Sequence, residues 1–394
     1  MRATFLTGLV AGSLSTVGII NISKFWILDE SIKHTINSQN DPGQIQQEEV
    51  LGKVAQEVIS EGRPWGGRIM RTLQNHALEY DCATKIPIWV AEHLTADSLK
   101  GDANRSKSKF KMDPNIPEEF SSRNSDYYGS GWSRGHMSPA GDCKNSQASM
   151  DETFYLSNIL PQDHNNNGGF WNRLEIFCRD LTERYRDVWI TSGPLFLPRV
   201  RDDGRKVVEY EVIGDNEVAV PTHLYKVVVG RSNKDAAPAA VGAFIVPNAP
   251  LDYSHHLTQF QVPLDQLERK VGLKFCGKLN RKETRDLCEE TGCNLLTKTQ
   301  MDQMIFFSRL KKAKNIDKLN KIWKEIQERD IPTDTKLLQL YQTRLTDLST
   351  SGIEERADLC PEVKHKEIAN LPSTCYKKEA RPTIDAELRA NVHG

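Results

Sequence analysis

No two cysteines in this 394-residue chain stand at C-x-x-C spacing; the eight (positions 82, 143, 178, 276, 288, 293, 360 and 375) are scattered, Cys288 and Cys293 being the closest pair. That spacing excludes the usual zinc-binding patterns and indicates no dense disulfide scaffold. An excess of positive charge is missing too. The formal net charge is −1, so no global basic field marks a polyanionic partner. Internal repeats are absent, which excludes a solenoid or propeller. The chain also has little in the way of long apolar runs. One stretch alone, residues 5–22, is nearly uncharged, with Arg2 before it and Lys24 after it.

That stretch is about the minimum needed to cross a bilayer. A membrane anchor, a cleaved secretory signal and a mitochondrial import signal all remain open for residues 1–28. Residues 29–70 are rich in Gln, Asn, Asp and Glu and read as a polar linker. From there to about residue 276, short alternating runs read as strands: 74–81 as an edge strand, then 87–94, 188–191, 206–213, 217–220, 223–230 and 239–246. Turn residues separate the later ones. The strongest helical stripe begins at Phe170 and continues through Trp171, Leu174, Phe177, Cys178, Leu181 and Tyr185, with Asn166 or Asn167 placed to cap it. Hairpins flanking one long helix imply an α+β domain with a central antiparallel sheet over 71–276. Residues 299–310, 316–328 and 335–348 have helical periodicity and form a small appendage, 277–348. The charged, proline-bearing stretch 349–394 is expected to be a disordered tail.

The chemistry concentrates between residues 131 and 175. His136 follows Arg134-Gly135 at an expected strand end, and an imidazole is the side chain that exchanges protons near neutral pH. Asn167 offers a carbonyl oxygen of the kind a hard cation accepts. Glu175 lies eight residues on, about 80° around a regular helix, close enough to share a face with Asn167. Arg105 sits in a local basic run, residues 100–111, where five cations face the single Asp102. Arg105 and Arg134 are suited to gripping phosphate oxygens in bidentate fashion, and Asn158 to bracing the site and its substrate. A general base, a phosphate clamp and oxygen ligands are together what metal-assisted phosphodiester hydrolysis requires.

These segments carry a resemblance. The runs 133–137 (Ser-Arg-Gly-His-Met) and 155–162 (Tyr-Leu-Ser-Asn-Ile-Leu-Pro-Gln), followed by Asn167-x3-Trp171-Asn172-Arg173-Leu174-Glu175, resemble the DNA/RNA non-specific endonucleases of the ββα-metal fold. The runs 191–198 and 218–223 are similar to the mitochondrial endonuclease G branch. The family pattern opens Asp-Arg-Gly-His, and here Ser133 takes the aspartate's place. With the helical extension, that is similar to the branch's 5′-to-3′ exonucleolytic paralogues, which are anchored at the mitochondrial inner membrane. The resemblance implies His136 as general base, Asn167 as direct Mg2+ ligand (Mn2+ being an alternative ion), Glu175 and Asn158 as supporting shell, and Arg105 and Arg134 as phosphate contacts. It further implies DNA or RNA as substrate, 5′-phosphate and 3′-hydroxyl products, and a homodimer. Two rival readings use the same residues: a catalytically inactive nucleic-acid-binding module, and a secreted sugar-non-specific endonuclease.

Overall fold

The computed structural model describes residues 66–232 and 238–357, apart from the side chains of 351–357. The chain divides into two compact units, Met1–Ile69 and Met70–Gly394, and nearly all described residues lie in the second. The apolar stretch 5–22, most of the linker and the final residues of the tail fall outside the described range. Among the described residues, no helix is long and apolar enough to cross a membrane.

Thirteen strands form the β-structure of the described residues. In chain order they are β1 (Arg68–Thr72), β2 (His76–Asp81), β3 (Ile86–Leu94), β4 (Ser133–His136), β5 (Ile159–Gln162) and β6 (Asp187–Leu195). There follow β7 (Arg199–Val200), β8 (Lys206–Val207), β9 (Val212–Ile213), β10 (Val218–Ala219), β11 (His223–Arg231), β12 (Ala240–Pro247) and β13 (Arg285–Asp286). Seven of them make the main sheet, ordered β1-β2-β3-β6-β11-β12-β13. The β2–β3, β3–β6, β6–β11 and β11–β12 pairs are antiparallel, and β13 joins β12 in parallel. The α+β class with a central antiparallel sheet therefore holds.

Side chains alternate across a strand, so each strand feeds both faces. Leu195, Tyr225, Val227, Ala243 and Ile245 point to one face, where Leu267 of the helix Leu264–Val271 and Phe275 cover them. Glu92, Ser192 and Lys226 point to the other. On that side lie the small β4–β5 hairpin and a helix, Asn172–Asp180, here termed the site helix.

Several sequence expectations need correction. Residues 74–81 were expected at an edge, yet β2 is flanked by β1 and β3. The run 206–213 is interrupted, giving only β8 and β9. The boundary at 276 is too early, because β13 completes the sheet at Arg285–Asp286 and the helix Leu287–Thr291 follows it. A disulfide joins Cys288 to Cys293 there. The tail expected from 349 starts too soon, since the helix Thr335–Ala357 runs through that point. Neither Asn166 nor Asn167 caps the site helix. Residues Asn166–Trp171 form a π-helical turn feeding into it, so the regular-helix angle between Asn167 and Glu175 does not apply.

Candidate active site

β4 and β5 pair in a register that sets Ser133 opposite Gln162, Gly135 opposite Leu160 and His136 opposite Ile159. Gly135 is required by a close approach: a Cβ there would sit 2.1 Å from Gln162 Oε1, so any larger residue would part the hairpin. Arg134 and His136, two apart on β4, share one face. The Phe110 ring touches both, with the Arg134 guanidinium 4.5 Å over its centroid and the His136 ring centroid 5.2 Å away. Phe154 meets the imidazole edge-on at 4.8 Å and the Phe110 ring at 4.9 Å, so the three rings form one triangular cluster.

His136 is buried, and its Nε2 has no hydrogen-bond partner within the protein. Burial is the main force that lowers its pKa to about 3, and Arg105, His76 and Arg134 add to it in that order. Desolvation and neighbouring cations both disfavour an imidazolium. The ring is therefore neutral at cellular pH, packed against two aromatic rings and within the field of two arginines. Arg105 is exposed, and its guanidinium also lies 5.8 Å from the Phe154 centroid.

Asn167 is fixed by Ser133, a role the sequence did not reveal. The Ser133 hydroxyl donates to the carbonyl oxygen of Gln162 at 2.7 Å, so its single hydrogen is committed. Its oxygen can then only accept, and it accepts from Asn167 Nδ2 at 2.9 Å. That bond settles the amide orientation: nitrogen toward the serine, carbonyl oxygen away from it and available to a cation. Nearby, Asn166 is fully buried and spans to the backbone carbonyls of Pro247 and Ala249, while its own N–H is taken by Asp163 Oδ1. The π turn is thus anchored at its base and presents Asn167 at its surface. Among the described residues, no group of three or more His, Cys, Asp or Glu side chains could hold a metal ion. One oriented amide oxygen, with Glu175 as a further oxygen source, fits a hard cation that keeps most of its water.

Asn158 needs a narrower role than the sequence suggested. It is completely buried, and its amide is used up on backbone groups: it donates to Ser138 O and Thr153 O and accepts from Ser138 N. It braces the chain just past His136 and cannot reach a phosphate.

Beneath the hairpin lies a buried layer of ionisable groups. Ser138 Oγ donates to Glu92 Oε2 on β3 at 2.9 Å. Lys226, 1% exposed on β11, donates to Ser192 Oγ at 2.6 Å and sits 4.7 Å over the Trp171 ring. Arg179 at the end of the site helix bonds the buried Asp142 at 2.6 Å. Glu175 lies among these charges. Loss of solvent pushes its carboxyl up to about 7, while Lys226 and Arg179 draw it back down. Arg105 acts on both His136 and Glu175, which places the expected base, carboxylate and phosphate clamp within one electrostatic field. Lys226 and Glu92 belong to this layer without any motif to announce them. Each is a charged residue at a core-facing position of an otherwise apolar strand, and that mismatch was the available signal.

Comparison with known proteins bears on this geometry. A family model described as DNA/RNA non-specific endonuclease matches residues 55–282. The chain is 45% identical over 344 residues to "Nuclease EXOG, mitochondrial" of Danio rerio, covering 87% of this chain and 95% of that protein. It is 43% identical over 350 residues to the Homo sapiens protein of the same name, covering 87% and 92% respectively. A crystal structure of EndoG in complex with EndoGI is similar as well. It shows 43% identity and a TM-score of 0.54, and the match covers 58% of this chain and 94% of that one.

Proposed function

The chain belongs to the DNA/RNA non-specific endonuclease family and is a hydrolytic nuclease acting on phosphodiester bonds; on that premise we propose that it is a Mg2+-dependent mitochondrial enzyme with 5′-to-3′ exonuclease preference on DNA. RNA is a second substrate, and Mn2+ can replace Mg2+. The observation that carries this reading is His136, neutral and within the field of the cations Arg105 and Arg134.

His136 takes a proton from water. The resulting hydroxide attacks phosphorus in line, the bond to the 3′ oxygen breaks, that oxygen takes a proton from solvent water, and 5′-phosphate and 3′-hydroxyl ends result. Arg105 and Arg134 bind the non-bridging oxygens. Because the phosphate's negative charge offsets theirs, the imidazole gains proton affinity at the moment it must act. Asn167 would hold the cation through its carbonyl oxygen, kept outward by Ser133, and Glu175 would orient the water around it. When bound, the cation supplies positive charge that offsets the growing negative charge on phosphorus and on the leaving oxygen. Residues 1–28 tether the protein to the mitochondrial inner membrane, and the working form is a homodimer, both as the family resemblance implies.

Incubating 5′-end-labelled linear DNA and closed circular DNA side by side, with Mg2+, Mn2+ or EDTA, tests this reading. Expected are cleavage with either cation, none in EDTA, and loss of linear strands from the 5′ end well before circles are opened. Cleavage in EDTA would overturn the metal assignment, and equal attack on circles would overturn the exonuclease preference.

A further inference from the structure

A cavity of about 650 Å3 opens beside β4, extending away from the two arginines assigned to the phosphate toward side chains that the chemistry above does not use. Its volume lies within the roughly 300–1,000 Å3 typical of small-molecule sites. Tyr128, Trp132 and Phe110 supply aromatic walls, Arg105 and Arg134 supply charge, and none of the lining residues is acidic. Ser133, which orients Asn167, lines it too, so the cavity shares a wall with the catalytic strand.

Tyr128 is the most conspicuous feature of this wall. It is 92% exposed, while its neighbour Tyr127 is buried. The backbone that carries it is built for display. Gly129 and Gly131 both adopt positive φ (71° and 84°), a conformation glycine reaches without steric cost. The Ser130 hydroxyl ties the turn together, donating to Tyr127 O and accepting from Trp132 N. An aromatic face held out in water beside two guanidinium groups matches a base joined to a phosphate. Aromatic rings bind single-stranded nucleic acid by stacking in this way. A base within a duplex is already stacked on both faces and is not free to enter.

We infer that this recess is a nucleotide subsite, in which Tyr128 and Trp132 stack an unpaired base next to the phosphate held by Arg105 and Arg134. The inference rests on the nuclease reading and narrows its substrate to strands with an unpaired nucleotide beside the scissile bond, such as ends, nicks and single strands.

The test uses the full chain and short single-stranded DNA with one abasic position, moved stepwise across the cleavage site. With the wild-type enzyme, KM should rise about five- to hundredfold when the missing base is the one the recess holds, with kcat largely kept. Tyr128→Ala should show that weaker KM with every substrate, and Tyr128→Phe should recover wild-type behaviour. Tyr128 is exposed, so neither change threatens folding. As a second readout, 2-aminopurine at the same position should lose fluorescence on binding to the His136→Ala protein, and keep it when Tyr128→Ala is added. A KM indifferent to base loss at every position overturns the subsite, as does cleavage without fluorescence quenching. Quenching without any cleavage by the wild type would instead count against the nuclease chemistry and leave the subsite standing.

Discussion

The helices Lys298–Lys311 and Ile316–Glu328 bury only apolar side chains, whereas the layer under β4 buries Glu92, Asp142 and Lys226 together with His76 and His136. The helical region follows ordinary packing rules throughout. Phe306, Leu310, Leu319, Ile322 and Ile326 form one core with Leu337. Thr297 and Asn315 cap the helix starts through their side chains, and Lys324 and Glu328 pair along the surface at i,i+4. On the face of the sheet that meets the site, the body instead buries several ionisable groups together. An ion taken from water costs several kcal/mol even after relaxation, so a cluster of them under one hairpin marks the place where stability yields to chemistry. On the opposite face the helix Leu264–Val271 also buries a carboxylate, Glu268, but ties it to Lys274 and Arg281 at the surface.

The difference should be measurable. Asp142→Ala strands Arg179 without its partner, and breaking a buried pair of this kind costs about 3–5 kcal/mol. Denaturant unfolding at pH 7 would report it, and a loss below about 1 kcal/mol would mean that the buried layer is as dispensable as a surface. The pH response follows next in size. His76 is held at a pKa of about 4 by burial, partly countered by Asp113, and its unfolded value is near 6.5. Below pH 6.5 the unfolded chain binds a proton that the folded one refuses, so this stability is full above 6.5 and is lost as pH falls toward 4. Between pH 7 and pH 5 the loss comes to about 2 kcal/mol. His76→Gln should therefore flatten the fall in unfolding free energy by that amount. Glu175, shifted upward, acts with the opposite sign in both proteins and cancels in the difference. An unchanged slope in the variant would show that His76 is not the group responsible.

Ser133→Ala comes third. It frees the Asn167 amide to rotate while removing no charge, and the expected result is a drop in kcat of roughly tenfold, equivalent to about 1.4 kcal/mol, with DNA affinity unchanged. Full activity in the alanine variant would show that the amide is oriented by something else. Smallest of all, Arg309→Ala in the helical region removes a partly exposed pair with Glu325 and should cost less than about 1 kcal/mol. A loss matching that of Asp142→Ala would erase the contrast between the two regions.

The same contrast governs how much could be read from sequence. The helix Ile316–Glu328 is legible in the sequence from its apolar periodicity alone, and the structure adds the Asn315 cap at its start. The long strands β6, β11 and β12 were legible from alternation and turns. Around the site, such signals mislead. Asn166 and Asn167 look like helix caps, yet one is buried against the backbone of a distant loop and the other is held by Ser133 across the hairpin. Both partners come from tertiary contacts that no local pattern encodes. β13 pairs only two residues with β12, too short for any periodicity to show. Ser133 appeared in sequence only as a lost carboxylate, and the bond it makes instead became visible once β4 lay beside β5.

The most direct test of the proposed chemistry is the turnover of His136→Ala on a labelled single-stranded oligonucleotide with Mg2+, measured together with its DNA affinity. Losing a positioned general base should lower the cleavage rate by about 10²- to 10⁴-fold, while affinity stays within a few-fold of wild type because Arg105, Arg134 and Asn167 are untouched. Turnover close to wild type would contradict the assignment of His136 as the base.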